Sequence, residues 1–180
     1  MNATGNNALT FLITTLVDLY VTAVLLRLLL QWVRADFYNP VCQFLVRITN
    51  PVLVPLRRVI PSIGRLDTAS VVLMLGLEFI VTWIVVQLGP VAFTISQILL
   101  FSAMKLLGTL LWTWFFLIIA MVVLSWVGRG ARHPVVPLVH QLTEPLLRPV
   151  RRVIPPIAGI DLSPLIVLIA IRFLLVLLGF

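Results

Sequence analysis

Five ionisable side chains stand within long apolar stretches of this 180-residue sequence: Asp18, Arg27, Glu78, Lys105 and Arg172. An ionised group in hydrocarbon costs several kcal/mol unless it is paired, is hydrated or reaches an interface. Such residues either lock a helix bundle through ion pairs or line a path for ions. They are therefore the first candidates for a functional role.

Two of these charges occupy matching positions. Glu78 and Arg172 are 94 residues apart, and each follows an aspartate, Asp67 or Asp161, by eleven residues. Equal spacing predicts equal depth in the membrane. We therefore predict a Glu78–Arg172 ion pair near mid-membrane, which either locks the bundle or acts as a gate in a permeation path.

The other three charges are interpreted separately. Asp18 and Lys105 belong to the same predicted half of the membrane, where they can pair or reach headgroups. Arg27 stands five residues before Trp32 and can extend its guanidinium to the nearby cytoplasmic interface. No mechanism follows for Arg27.

A second group of candidates consists of two Arg-Arg pairs, Arg57-Arg58 and Arg151-Arg152. Guanidinium groups recognise phosphate and carboxylate, so we predict that these pairs bind anionic lipid or a protein partner. Asp67 and Asp161 each follow the first arginine of a pair by ten residues. Two interpretations stay open, a helix N-cap or an ion pair that holds the arginines in register, and one carboxylate can do both.

Catalysis has almost no support in the residue types. His133 and His140 lie seven residues apart without an acidic or cysteine cluster, and Cys42 is the single cysteine. A metal site requires several such ligands close together, and the sequence has no phosphate loop or nucleotide fingerprint. We therefore expect no enzyme activity, no metal and no cofactor.

An internal repeat positions these residues. Residues 32–67 align without a gap onto residues 126–161, and 15 of the 36 positions are identical. Both copies carry the pattern P-x-L-x-P-x-R-R-V-I-P. The predicted structural motif consists of Pro51, Pro55, Pro61, Asp67, Pro145, Pro149, Pro155 and Asp161. We divide the chain into a first repeat, 1–90, and a second repeat, 91–180.

Composition indicates a membrane protein. The chain has 61% hydrophobic and 11% charged residues and a mean hydropathy of +1.16, which excludes a soluble domain. Spans are predicted at about 9–33, 69–88, 98–127 and 164–180, and the last is marginal against the roughly 20 residues that cross a bilayer. The predicted fold is an all-α integral membrane protein with two parallel repeats, each of two transmembrane helices joined by a basic amphipathic interfacial segment.

Charge placement predicts the orientation. Ten of the thirteen Lys and Arg residues fall within 34–65 and 129–152, whereas 87–97 carries no charge. The positive-inside rule then places both basic connections in the cytoplasm and both termini in the periplasm. The net charge of +7 is thus a property of one membrane face, and nucleic-acid binding is unlikely.

The basic connections have helical periodicity. One apolar face consists of Val41, Phe44, Leu45 and Ile48, and its counterpart consists of Val135, Leu138, Val139 and Leu142. We expect both faces to lie among acyl chains. Because proline lacks an N–H and constrains its predecessor, the four internal prolines of the motif are predicted to break and restart the helices before short Arg-Arg turns.

The doubled segment, N-P-x-x-x-P-x-R-R-x-I-P-x-x-G-x-x-D with small departures such as Glu144 for Asn50, resembles the YggT family of bacterial inner-membrane proteins, also called YlmG. The resemblance covers nearly the whole chain. It implies a two-repeat inner-membrane protein. Family members are associated with osmotic or ionic stress tolerance, with membrane organisation near the division machinery and, in plastid relatives, with nucleoid distribution and cytochrome b haem attachment. No common biochemical activity follows.

Three functions from different classes are weighed. We favour a non-enzymatic scaffold or assembly factor whose Arg-Arg turns bind anionic lipid or a membrane-protein partner. The alternative is an oligomeric channel or transporter component in osmotic or ion homeostasis, because four spans leave little room for a hydrated path within one subunit. Tethering of nucleic acid ranks last. The expected partners are membrane lipids and either a membrane protein or further copies of this chain.

Overall fold

The computed structural model describes residues 3–64, 66–88, 93–127, 133–155 and 161–180. Six helices and one isolated bridge, between Ile63 and Leu66, occur in this part of the chain. The helices are α1 Ala3–Trp32, α2 Pro40–Val59, α3 Thr68–Leu88, α4 Ile95–Val127, α5 Val135–Val153 and α6 Ser163–Leu177.

Three helices are long and apolar enough to cross a membrane, over Ala8–Trp32, Thr68–Leu88 and Ile95–Trp126. Helix α6 is also apolar but has only 15 residues, fewer than the roughly 20 required at 1.5 Å per residue. Large apolar side chains on the long helices are exposed, as expected where the surroundings are lipid. These features indicate a membrane protein, whereas the parallel two-repeat arrangement stays a prediction.

Contacts divide the chain into two units. Unit 1 contains Met1–Leu28 and Leu45–Leu107, and unit 2 contains Leu29–Phe44 and Gly108–Phe180. In unit 2 the core combines residues of α4, α5 and α6: Leu111, Ile118, Met121, Val139, Leu147, Val167, Ile171 and Leu175. In unit 1 the buried side of α3 includes Met74, Glu78 and Val81, which recur every three or four residues along one helical face.

The internal prolines do not break α2 and α5, contrary to the prediction. Pro51 and Pro55 lie inside α2, and Pro145 and Pro149 lie inside α5. All four are exposed. Each proline leaves the carbonyl four residues earlier without its helical donor, and those four carbonyls also belong to exposed residues, 47, 51, 141 and 145. The freed carbonyls can therefore accept from the surroundings, and the helices end only at Val59 and Val153, two residues before Pro61 and Pro155.

The apolar faces of α2 and α5 also differ from the prediction. Leu45 is buried, whereas its predicted companion Phe44 is 60% exposed. In α5, Val139 is part of the unit 2 core, and Leu138 and Leu142 are buried as well. These faces pack within the protein and not among acyl chains, because the neighbouring long helices offer apolar surface that the same side chains can cover.

Candidate functional site

The first arginine of each Arg-Arg pair is bound by the aspartate ten residues later. In unit 1, Arg57 Nε lies 3.4 Å from Asp67 Oδ1 and 3.2 Å from Oδ2, and a guanidinium NH2 also donates to Oδ2. Ser70 Oγ donates to the same Oδ2 at 2.6 Å. Asp67 is only 1% exposed. We call this contact the first clamp, because it joins the end of α2 to the start of α3.

The equivalent contact in unit 2 is the second clamp. Arg151 Nε donates to Asp161 Oδ2 at 2.8 Å, and Arg151 also donates through NH1 to Glu144 Oε2 at 2.7 Å. The Ser163 backbone N–H donates to Asp161 Oδ1 at 2.9 Å. The N-cap residue of α6 is Leu162, without a side-chain cap hydrogen bond. Asp161, one residue earlier, therefore forms the ion pair of the second interpretation and accepts the Ser163 N–H without being the N-cap.

Both clamps lower the pKa of their aspartate. Burial alone would raise the pKa of Asp67, but hydrogen bonds from Arg57 and Ser70 outweigh it. For Asp161, burial alone would again raise the pKa, but hydrogen bonds from the Ser163 backbone and from Arg151 outweigh this effect. Each carboxylate is therefore held ionised in the folded protein.

These shifts predict acid sensitivity. A carboxyl whose folded pKa is depressed stabilises the fold fully above its unfolded value of about 3.9, and this contribution is lost as the pH falls through the folded value. The free energy of unfolding in mixed micelles should thus decrease below about pH 4. The decrease should be smaller in the double variant Asp67→Asn/Asp161→Asn, and an identical acid profile for both proteins would contradict a role for the clamps.

The second arginine of each pair is exposed. Arg58 and Arg152 lie on the outer faces of α2 and α5, as do Arg47 and Arg148. Arg47 and Arg58 are eleven residues apart, which at 100° per residue places them about 20° apart on one face. Arg148 and Arg152 are one helical turn apart. We call these four residues the arginine stripes. Arg65, Arg129 and Arg132, which belong to the basic connections, lie outside the described residues.

Arg27 is buried within unit 1 instead of extending to the interface as predicted. It is 6% exposed, and its NH1 donates to Thr49 Oγ1 on α2. The Thr49 hydroxyl in turn donates a hydrogen bond to Leu45 O at 2.6 Å. At the positions 94 residues later, Thr143 Oγ1 likewise donates to the carbonyl four residues earlier, Val139 O, at 2.9 Å, and Met121 Sδ lies 3.4 Å away. Sequence reasoning missed both threonines, although their identity in the two aligned segments was a usable signal.

The two threonines offer a matched test. Thr49→Val removes the acceptor of a buried guanidinium and should reduce the free energy of unfolding by about 1 to 3 kcal/mol. Thr143→Val removes a contact to a neutral thioether and should cost less than about 1 kcal/mol. Equilibrium unfolding in mixed micelles measures both. Equal losses would mean that the Arg27 contact contributes nothing beyond threonine packing.

The remaining intramembrane charges meet in unit 1. Lys105 Nζ donates to Asp18 Oδ1 at 2.6 Å and lies 2.8 Å from Glu78 Oε2. We call these three residues the charge cluster. Asp18 and Lys105 do pair, one of the two arrangements considered for them.

Glu78 belongs to unit 1 and Arg172 to unit 2, so their ion pair stays a prediction, and each side chain has a contact within its own unit. Glu78 has Lys105 at ion-pair distance. The Arg172 guanidinium carbon lies 5.7 Å from the centre of the Trp112 ring, and NH1 lies 3.3 Å from Phe180 O.

No group of three or more His, Cys, Asp and Glu side chains suited to a metal ion occurs among the described residues. Cys42 is fully buried, and burial raises the pKa of its thiol. These residues therefore suggest no site of metal or thiol chemistry. The arginine stripes and the charge cluster remain the candidate functional groups.

Comparison with known proteins identifies relatives over nearly the whole chain. A protein of Vibrio alginolyticus named "Uncharacterized protein in proC 3'region" is 44% identical over 178 residues, covering 96% of this chain and 94% of the relative. "Uncharacterized protein YggT" of Escherichia coli K12 is 42% identical over 166 residues, covering 91% of this chain and 85% of the relative. No solved structure matches.

The family profile described as CCB3/YggT matches residues 6–88 and 100–180. Both matched ranges include one clamp, one arginine stripe and the helices that carry them. The chain belongs to the CCB3/YggT family.

Proposed function

We propose that this protein is a non-enzymatic scaffold of the bacterial inner membrane whose cytoplasmic face binds anionic lipid through the arginine stripes. The observation that supports the proposal is that the two arginines of each Arg-Arg pair have different surroundings. One arginine is bound by an aspartate, and its neighbour is exposed at the same place on the helix.

The clamps provide positioning. Ion pairs to Asp67 and Asp161 hold the ends of α2 and α5 against the helices that follow. The exposed guanidinium groups of Arg58 and Arg152 therefore project from fixed helix ends and not from mobile loops. A preorganised donor loses less entropy on binding a phosphate than a flexible one does. Arg57 and Arg151, predicted as ligands, are thus assigned to positioning.

The surroundings of the stripes suit a bilayer surface. Val59 and Val153 directly follow Arg58 and Arg152, and each is 80% exposed. An apolar side chain beside an arginine can enter the acyl boundary while the guanidinium contacts the headgroup phosphate. Arg47 lies about 16 Å from Arg58 along α2 at 1.5 Å per residue, which gives the stripe length enough to contact more than one headgroup.

The expected strength is moderate. Arginines next to an acidic leaflet contribute about 1 kcal/mol each. Four arginines on two helices therefore suffice for selective retention of anionic lipid without any deep pocket. Carboxylates of a membrane-protein partner could be recognised by the same guanidinium groups, and the placement in the cytoplasm with both termini periplasmic is part of this proposal.

The test compares two double variants with the same loss of charge. Arg58→Gln/Arg152→Gln removes one arginine from each stripe, whereas Arg34→Gln/Arg172→Gln removes two exposed arginines elsewhere. Native mass spectrometry after gentle solubilisation, and titration with nanodiscs containing phosphatidylglycerol, measure retained lipid and affinity. We expect roughly thirtyfold weaker binding for the stripe variant, because two arginines at about 1 kcal/mol each amount to about 2 kcal/mol.

The control variant should lose less affinity than the stripe variant, because only Arg34 belongs to a basic connection, whereas Arg172 lies on α6. Equal weakening in both variants would mean that binding depends on total charge and not on the stripes. Unchanged binding in the stripe variant would contradict the proposal. A stoichiometric protein partner lost only from the stripe variant would support the scaffold with a protein ligand in place of lipid.

A second candidate, an oligomeric channel or transporter component, is favoured by the charge cluster, because ionisable groups in spans commonly mark ion pathways. Ion flux into proteoliposomes, compared between the wild type and Glu78→Gln, tests this function. Flux that depends on Glu78 would rank it above the scaffold. An oligomer is expected in that case, since a single chain of this size has little space for a hydrated path.

A further inference from the structure

The charge cluster has an uneven balance of charge. Asp18 on α1 and Glu78 on α3 contribute two carboxylates, and Lys105 on α4 contributes one ammonium. With all three ionised the cluster carries one net negative charge. A net charge surrounded by apolar spans is costly, by several kcal/mol, so uptake of one positive charge would stabilise it.

Glu78 is the member whose hydrogen bonding is incomplete. Its side chain is 0% exposed. Lys105 Nζ lies 2.8 Å from Oε2, whereas Oε1 has no hydrogen-bond donor within the described residues. A buried carboxylate normally has its oxygens satisfied, because an unsatisfied buried charge is strongly unfavourable. Protonation would convert this ion into a neutral acid.

We propose that the charge cluster is a proton-binding site in which Glu78 holds one exchangeable proton. The proton comes from water, forms an O–H bond with a Glu78 carboxylate oxygen, and changes the net charge of the cluster from minus one to zero. This site is separate from the arginine stripes and does not depend on lipid binding by them.

The exposure of the three side chains supplies a route. Asp18 is 42% exposed, Lys105 is 30% exposed and Glu78 is fully buried. The polar groups therefore run from the surface of unit 1 to its interior, with separations of 2.6 and 2.8 Å. Proton exchange along such closely spaced donors and acceptors is feasible without a wide aqueous channel.

A proton fits this site better than a metal ion. The Lys105 ammonium already occupies the position between the two carboxylates, which is where a small cation would bind. A proton needs no additional volume and no ligand shell. The cluster thus resembles paired acids that share one proton because their charges are too close for both to be ionised.

Other titratable groups of unit 1 lie away from Glu78. On α1, Tyr20 and Arg27 follow Asp18, and Arg27 is nine residues, or about 13 Å, further along the helix. At the end of α2 and the start of α3, Arg57 and Asp67 bind each other, and Asp67 is about 16 Å from Glu78 along α3. Asp18 from α1 and Lys105 from α4 are therefore the charged groups that face Glu78.

Infrared difference spectroscopy on the full chain reconstituted in lipid tests the proposal. Near pH 7, where ordinary carboxyl groups are ionised, the wild type should show the C=O stretching band of one protonated carboxylic acid per chain, and the band should shift in D₂O. Glu78→Gln should abolish the band. Glu78→Asp should keep it at a different frequency, because the acid itself is changed.

Asp18→Asn provides a second test that does not alter Glu78. With Asp18 neutral, Lys105 and Glu78 balance each other, so Glu78 should ionise and the band should disappear. Absence of the band in the wild type, or a band that is unchanged in Glu78→Gln or unshifted in Glu78→Asp, would overturn the assignment. A band that disappears on addition of Na⁺ at constant pH would show that the site takes a metal cation and not a proton.

Discussion

Lys105→Met should be among the most destabilising single substitutions in this protein, reducing the free energy of unfolding by about 3 to 5 kcal/mol. The change removes the cation that faces both Asp18 and Glu78. Asp18 then stays ionised in an apolar span without a cation, beside the fully buried Glu78 acid. Methionine preserves most of the side-chain volume, so the loss reports charge and not a cavity. Equilibrium unfolding in mixed micelles provides the measurement.

Arg172→Met is the matched control, because it also removes one cation from an apolar span. Arg172 is exposed and contacts the Trp112 ring and a backbone carbonyl. An exposed cation–π contact contributes about 0.5 to 1 kcal/mol, so the control should be only slightly destabilised. If Arg172→Met cost as much as Lys105→Met, and the two losses were not additive, the result would support the predicted pairing of Glu78 with Arg172.

The sequence was sufficient to predict the long spans and the contacts that depend on local spacing. An apolar stretch of 20 residues or more has few alternatives to a membrane helix. Each arginine and its aspartate are separated by only ten residues, so their proximity follows from the short stretch of chain between two helices. For this reason the ion pairs were among the interpretations that the repeated motif suggested.

Contacts between spans could not be predicted in the same way. A helix in lipid is apolar on all sides, so its periodicity does not show which face is buried. Glu78 was paired with Arg172 on repeat symmetry, but its partner Lys105 has no charged counterpart 94 residues earlier, where Phe11 stands. Repeat symmetry cannot predict a contact to a residue that has no equivalent in the other repeat.

The prediction that the prolines break α2 and α5 was wrong for a different physical reason. Proline propensity was treated as decisive, although the cost of a proline in a helix depends on what the freed carbonyl can reach. All four prolines stand on exposed faces, where that carbonyl is accessible. The location of Arg27 was wrong because the neighbouring Thr49 offers a buried acceptor, which makes extension to the interface unnecessary.

The two clamps should differ in energy although their sequences match. Arg57→Met leaves Asp67, which is 1% exposed, with Ser70 as its remaining side-chain donor. We expect a loss of about 3 to 5 kcal/mol in the free energy of unfolding, because a buried carboxylate loses its cation. Arg151→Met leaves Asp161 at 31% exposure and still bound to the Ser163 backbone. Its loss should be about 0 to 1 kcal/mol.

Adding Asp67→Asn to Arg57→Met separates charge from packing. Asparagine removes the uncompensated charge and can still accept a hydrogen bond from Ser70, so it should recover most of the stability lost in the single variant. The same addition at Asp161 should have little effect. Equal losses for Arg57→Met and Arg151→Met would show that burial of the aspartate does not control the strength of the clamps. The expected inequality would instead mean that the first clamp mainly supports the fold, while the second can open at low cost and leave Arg151 available beside Arg152.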